Sequence, residues 1–222
     1  HFFFQAVDGI RELVRSRGLG DVYKRQVLDI AYLRCIQNII VSAPKDGNEL
    51  RDLIYTASLN RQKPFTIRYP KEQSVKFEKK SPNQIDIGTW EVLAKGSDLL
   101  ILAIGSMVIK SMEVHKKLLE KGISSEVVNC RFIKPMDENY LNESFSKFSS
   151  VVTIEEGVKD GGFGEGIVTW SNKNNMSNKI LNLGVPNRFV DHGPRNILLQ
   201  EVGLDSTSLF EKIYNFSRKN DE

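Results

Sequence analysis

The chain of 222 residues carries 31 Lys plus Arg against 28 Asp plus Glu, with 40% hydrophobic and 27% charged residues. This composition excludes collagen-like, intrinsically disordered and disulfide-scaffold classes, and suffices for one large domain or two small ones with a proper core. Residues 1–26 hold five basic and three acidic side chains, a net +2 of the chain's +3, so the remaining body is near neutral and has no electrostatic footprint for nucleic acid or an anionic membrane.

No run approaches the roughly 18–20 apolar residues of a membrane span. The Phe2-Phe3-Phe4 triplet lacks the length, basic lead-in and small-residue cleavage site of a signal peptide. Cys35 and Cys130 lie far apart and match no metal or redox spacing, which reads as two reduced thiols in a cytoplasmic protein.

In chain order, residues 2–25 sustain neither helical nor strand periodicity. The string VRSRGLGDVYKRQ at 14–26 resembles a translated sequencing-adapter scar joined to a reading frame. Residues 1–26 are therefore expected to be an artefact without ordered structure; an authentic, poorly ordered N-terminal arm is the alternative. Residues 38–43 (NIIVSA) predict a buried strand closed by Pro44. Asp46 and Glu49 have the spacing of a reciprocal helix cap, and Leu50, Leu53, Ile54 and Ala57 then form one apolar helical face. Residues 65–69 predict the next strand, stopped by Pro70, so this strand–helix–strand unit calls for parallel pairing and a right-handed crossover. Residues 71–84 (KEQSVKFEKKSPNQ) are polar and lysine-rich and read as an interdomain linker, with a surface loop inside one domain as the alternative.

Beyond it, 85–95 predicts a short β excursion around Gly88. Residues 98–104 (DLLILAI) predict a strand buried on both faces, because the apolar run is continuous. Ser106 is expected to cap a helix with Val108, Met112, His115 and Leu119 on its buried stripe, ending at Gly122. Strands at 126–130, 151–154 and 179–183 alternate with helices at 137–148 and 161–172, and two helices, 195–202 and 206–219, close the chain. Four strands alternating with helices predict an open, mainly parallel α/β sheet with helices on both faces.

Residues 160–166 (DGGFGEG) join a strand to a helix, where glycines let a phosphate approach backbone N–H groups. The third glycine of the dinucleotide fingerprint and its acidic residue about 20 positions on are missing. A tight strand–helix turn is the better reading, with nucleotide binding a distant alternative. Glu155 and Glu156 end a strand at the carboxyl edge, where open α/β sheets place ligands. Adjacent strand residues point to opposite faces, so hydrogen bonding at the sheet edge or an interface is expected ahead of shared acid–base work. His1 falls in the anomalous stretch, His115 on a helical stripe and His192 in an Asp-His-Gly-Pro turn, so no catalytic triad or zinc spacing can be drawn. Arg68 ends its strand with a fork of donors that suits a phosphate or carboxylate, and an interdomain salt bridge is an equal alternative.

Several strings occur in an order and spacing that carry a resemblance: 29–34 (DIAYLR), 38–44, 49–57, 67–70 (IRYP), 101–105 with Met107-Val108, 128–137 (VNCRFIKPMD), 153–164 (TIEEG to GGFG), 184–193 (GVPNRFVDHG) and Gly203-Leu204-Asp205. Over about residues 27–222 the chain resembles the C-terminal part of the 1-deoxy-D-xylulose-5-phosphate synthases, thiamine-diphosphate enzymes of the transketolase group. Transketolases and the β subunits of 2-oxo-acid dehydrogenases share the architecture, but GVPNRFVDHG followed by GLD looks like the synthases.

The resemblance implies that 27–80 is the last part of a pyrimidine-binding domain and 85–222 a transketolase C-terminal domain. It further implies a decarboxylative condensation of pyruvate with glyceraldehyde 3-phosphate, serving isoprenoid, thiamine and pyridoxal biosynthesis. Thiamine diphosphate and Mg²⁺ would be the cofactors of a cytoplasmic homodimer. The family's arginine in RYP falls on Arg68, which would bind the acceptor's phosphate. The family's diphosphate-and-Mg²⁺ loop and its activating glutamate precede the matched strings, and its His-x-Gly string is replaced here by Lys24-Arg25-Gln26. The expectation is a fragment without the catalytic centre, inactive and cofactor-free on its own, with no catalytic, cofactor or metal residue assigned. A non-catalytic α/β interaction or dimerisation module is the alternative from another class, and a piece of a 2-oxo-acid dehydrogenase β subunit the alternative within the group.

Overall fold

A computed structural model describes residues 27–70, 77–78, 80–188 and 194–218. Residues 1–26, 71–76 and 79, residues 189–193 with His192, and residues 219–222 lie outside the described residues.

The first unit contains α1 (Asp29–Cys35), β1 (Ile40–Ser42), α2 (Gly47–Leu59) and β2 (Phe65–Ile67). The two strands pair in parallel, Ile40 opposite Phe65, as the strand–helix–strand pattern requires. The cap forms as its spacing predicts: Asp46 accepts the Glu49 N–H at 2.9 Å, and Glu49 reaches back to the Lys45 N–H at 2.7 Å. The buried face of α2 is Glu49, Leu53, Thr56 and Ala57, rotated from the expected stripe, while Ile54 is exposed. The cause is polar: the Asn129 amide donates to the Glu49 carboxylate at 2.7 Å and draws that end of the helix inward. The short helix α1 has no periodicity in the sequence to announce it.

The second unit runs β3 (Glu91–Ala94), β4 (Leu99–Ala103), α3 (Met107–Glu120), β5 (Ser125–Asn129), β6 (Phe132–Lys134), α4 (Glu138–Lys147), β7 (Ser150–Val158), α5 (Phe163–Lys173), β8 (Lys179–Val185), α6 (Arg195–Glu201) and α7 (Ser206–Arg218). Its sheet has the order β3-β5-β4-β7-β8, with the four expected strands parallel and β3 added antiparallel at one edge. β6 instead leaves this sheet and pairs antiparallel with β1, giving a second sheet β2-β1-β6. A three-residue strand followed by Pro135 is too short to register as alternation.

Every residue of β4 is fully buried, and the alternation of its side chains builds two cores. Leu99, Ile101 and Ala103 meet Val127, Val152, Ile154 and helices α3, α6 and α7. Leu100 and Leu102 meet Val128, Val151 and helices α1, α4 and α5. Helices thus cover both faces, which is why the strand reads as continuous apolar sequence.

Two expectations for α3 need correction. Its buried stripe is Met107, Val108, Ser111, Val114 and Leu118, whereas Leu119 is 57% exposed and Met112 only partly buried; His115 is half-buried, as a histidine on an apolar stripe is expected to be, with Nδ1 2.9 Å from Ser125 Oγ. The sequence offers two overlapping apolar stripes, and packing against the sheet and α7 selects one. Ser106 precedes the helix but makes no side-chain cap; its hydroxyl is engaged elsewhere. Gly122 ends the turn after α3 at φ +80°, as expected of a glycine there. No described helix is long and apolar enough to cross a membrane.

Candidate functional site

The carboxyl ends of β2 and β7 meet the starts of α3 and α6, and α1 lies alongside. These elements bring Asp29, Arg34, Arg68, Ser106, Glu155, Glu156 and Arg195 together, a set of charges that the near-neutral composition does not announce.

Arg68 is buried, its Nη2 donates to the Glu156 carbonyl at 2.7 Å and its Nε to Asp29 Oδ2 at 3.3 Å. The Asp29 carboxyl sits above its ordinary value: burial raises it, and the charge of Arg68 offsets only part of that. The Glu156 side chain turns to the other side of the strand. There Arg195 Nε donates to Oε1 at 2.6 Å, a second Arg195 nitrogen donates to Oε2, and Ser106 Oγ donates to Oε2 at 2.8 Å. Arg195 also donates to Ser106 Oγ at 2.7 Å, which closes a three-membered ring. Burial pushes the Glu156 carboxyl up, but the Arg195 hydrogen bonds and the Arg68 charge win and hold it below the ordinary value.

Glu155 faces the opposite way and is completely buried. Its two oxygens accept the N–H groups of Phe163 and Gly164 at 2.9 Å each, at the start of α5. Burial raises this carboxyl to about 7, against the lowering effect of those two amides and of Arg34 and Arg68. Arg34 binds the carbonyls of Gly161 and Gly162, fastening α1 to the same turn.

The glycines of 160–166 are thereby explained by protein groups. A Cβ on Gly162 would fall 2.5 Å from Glu155 Oε2 and into the Val158 carbonyl; one on Gly166 would lie 2.5 Å from Arg34; one on Gly164 would strike Asn182 and Thr153. The helix N–H groups a phosphate would use are occupied by an internal carboxylate, which supports the turn reading. Gly162→Ala is expected to destabilise the chain by about 1–3 kcal/mol through overpacking, read as a lower urea midpoint with an unchanged slope.

A second polar cluster fastens the two units. Lys45 Nζ contacts Glu91 at 2.6 Å and Glu49 at 3.4 Å, and Arg131 contacts Glu49 at 3.4 Å and Glu91 at 3.9 Å. Asn129 is fully buried and donates to both carboxylates, while its Oδ1 has no protein partner.

Arg68, Glu155 and Glu156 are therefore brought together, the two glutamates with the opposed orientations their adjacency predicts. His115 lies outside this cluster and belongs to packing between α3 and β5. Cys35 is exposed and Cys130 buried; both are free, and burial pushes the Cys130 thiol well up. Sequence reasoning misses Asp29, Arg34, Ser106 and Arg195 as site residues. Asp29 and Arg34 bound the DIAYLR string and Ser106 and Arg195 start helices, but only tertiary structure gives them one another as partners. Among the described residues, no group of three or more His, Cys, Asp or Glu side chains is placed to hold a metal ion.

The chain is 41% identical to the 1-deoxy-D-xylulose-5-phosphate synthase of Aquifex aeolicus over 183 residues, covering 82% of this chain and 29% of that protein. It is 42% identical to the synthase of Dictyoglomus thermophilum over 188 residues, covering 84% and 30% respectively. The chain thus spans about 30% of the length of the curated relatives it matches. Among solved structures it is similar to one described as "Split gene transketolase, inactive beta4 tetramer", with a TM-score of 0.73 and 28% identity over 85% of this chain and 60% of that one. A family model described as "Transketolase, C-terminal domain" matches residues 88–209, more than half of the 222 residues and nearly all of the five-stranded sheet with its helices. By that match and that fold, the chain belongs to the transketolase C-terminal domain family.

Proposed function

We propose that the chain is the C-terminal part of a 1-deoxy-D-xylulose-5-phosphate synthase, which condenses pyruvate with glyceraldehyde 3-phosphate and releases CO₂. The observation that carries this reading is the identity of about two residues in five to synthases from several bacteria over more than four-fifths of the chain. In this reading 27–80 ends a pyrimidine-binding domain and 85–222 forms the C-terminal domain of a cytoplasmic homodimer. When bound, thiamine diphosphate with Mg²⁺ supplies a stabilised carbanion. The family's diphosphate-and-Mg²⁺ loop and activating glutamate precede the strings matched here, so neither group is assigned to residues of this chain, which by itself is expected to be inactive.

Within the full-length enzyme, Arg68 is the residue of this chain that would bind the acceptor's phosphate. Its guanidinium offers a planar fork of donors and is held by Asp29 and the Glu156 carbonyl at the carboxyl edge of β2.

The test is a chimera in which residues 27–222 replace the matching segment of the Aquifex aeolicus synthase. An active chimera is expected. Arg68→Ala in it should raise KM for glyceraldehyde 3-phosphate by ~10- to 100-fold, the worth of one charge-assisted contact, and leave KM for pyruvate unchanged. A folded but inactive chimera would overturn the synthase reading. Unchanged acceptor kinetics with lowered thermal stability would assign Arg68 to structure, through its ion pair with Asp29 and its hydrogen bond to the Glu156 carbonyl.

A further inference from the structure

We propose that Glu156 and Arg195 are positioning residues for Arg68: the ring they form with Ser106 fixes a main-chain carbonyl that holds the guanidinium, and so tunes the affinity for the phosphate of glyceraldehyde 3-phosphate. The inference rests on the reading of Arg68 as the phosphate-binding residue. It goes beyond that reading by giving the paired glutamates, and through them the second unit, a part in substrate recognition.

The segment that carries this carbonyl is irregular. Ile154 stands opposite Leu183 and Val158 opposite Val185, so Glu155, Glu156 and Gly157 of β7 together face the single residue Gly184 of β8. On the other flank, the register with β4 ends at the pair Ala103 and Ile154. A bulge of this kind interrupts the ladder and re-aims the groups it carries.

Where the ladder is interrupted, side chains hold the backbone. Glu155 is anchored by the Phe163 and Gly164 N–H groups at 2.9 Å each. Glu156 is anchored by Arg195 Nε at 2.6 Å and Ser106 Oγ at 2.8 Å, and Arg195 and Ser106 are themselves joined at 2.7 Å. One anchor is thus on the residue that bears the carbonyl and the other on the residue before it. That carbonyl accepts from Arg68 Nη2 at 2.7 Å, in a buried hydrogen bond.

Asp29, which also accepts from Arg68, is tied to the same bulge. Val158 N donates to the Val27 carbonyl at 2.7 Å, two residues before Asp29. A Cβ on Gly157 would lie 3.3 Å from Ile30 Cδ1, so the bulge and α1 are in close contact. Asp29 and the Glu156 carbonyl therefore face Arg68 as one frame, while the backbone of Arg68 is fixed to the Ser42 carbonyl of β1. A guanidinium is a rigid planar fork, so holding two of its donors sets the direction of the others. Bidentate binding of an anion depends on that direction, and a carbonyl released from its anchor turns the fork away.

The experiment uses the chimera carrying residues 27–222 and the double variant Glu156→Gln/Arg195→Met, which removes both charges of the pair together and strands neither. Its KM for glyceraldehyde 3-phosphate should rise roughly 3- to 10-fold, the worth of one hydrogen bond. KM for pyruvate should not change, nor should the use of D-glyceraldehyde, which lacks the phosphate. Added to Arg68→Ala, the double variant should cause no further rise, because the two act through one contact. If the double variant does not fold, Ser106→Ala, which leaves the ion pair in place, decides by the same readouts. An unchanged KM for glyceraldehyde 3-phosphate where Arg68→Ala raises it overturns the positioning role and leaves Arg68 as the phosphate binder. Equal losses with both aldehydes, or losses that persist without Arg68, also overturn it, since the ring then serves the fold alone. If Arg68→Ala itself leaves these kinetics unchanged, or the folded chimera is inactive, the underlying reading falls and the positioning role with it.

Discussion

Arg195→Met should destabilise the chain by about 3–5 kcal/mol, the usual cost of leaving one member of a buried pair without its partner. Glu156 is almost wholly inaccessible, and Arg195 supplies both of its guanidinium contacts. With Arg195 gone, Ser106 Oγ is the remaining side-chain donor on that carboxylate among the described residues. The double variant Glu156→Gln/Arg195→Met should recover most of the loss, since the stranded charge is then gone as well. Urea unfolding of the four proteins completes the cycle. The pH dependence gives an independent check. The folded Glu156 carboxyl lies below its unfolded value, so its contribution is fully present above the ordinary carboxylate range and is lost as pH falls through the lower folded value. In Arg195→Met that acid-side loss should shrink. A double variant no more stable than the single one would mean that Arg195 acts through packing, not charge.

Glu155 should behave in the opposite sense. Its carboxyl is raised from 4.5 to about 7, so the folded chain holds a proton there that the unfolded chain has released. Stability attributable to this residue therefore falls as pH rises from about 4.5 to about 7 and is level above that. A tenfold difference in proton affinity between the folded and unfolded chains is worth about 1.4 kcal/mol, which makes the drop about 3 kcal/mol. Glu155→Gln should flatten this part of the profile and make the chain relatively more stable at about pH 8 than at about pH 5. Unfolding free energies at those two pH values decide it: equal pH slopes for the variant and the parent would show that the two α5 amides hold the carboxylate ionised throughout. In the expected outcome, two adjacent glutamates on one strand move stability in opposite directions with pH, because the pleat sends one toward a helix start and the other toward an arginine.

Much of this architecture is legible in the sequence where local signals and burial agree. DLLILAI reads as a strand covered on both faces and is one, and Asp46 with Glu49 marks the start of a helix that forms there. The opposed orientation of Glu155 and Glu156 follows from strand geometry alone. Legibility fails where the deciding partner is remote. Ser106 looks like a cap, yet its hydroxyl belongs to Glu156 and Arg195. The stripe on α3 is ambiguous until α7 is in place. Glu49 is legible as a cap residue but not as a core one, because Asn129 and Arg131 come from the far side of the fold. Arg68 is legible as a residue at the carboxyl edge of its strand; the aspartate and carbonyl that hold it are not.

The strand Phe132–Lys134 gives the chain a seam of an unusual kind. By sequence it belongs with the second unit, and by hydrogen bonding with β1 of the first. A cut drawn through the intervening polar stretch therefore passes between two pieces that share a sheet. As the polypeptide leaves the ribosome, β1 and β2 emerge before β6, and among the described residues Val41 has no antiparallel neighbour until Lys134 follows. The β2-β1-β6 sheet thus cannot form on the first unit's own schedule: it waits until the second has been synthesised as far as Lys134. Inheritance of the two units as a pair follows from that shared strand, because separating them costs the first its third strand.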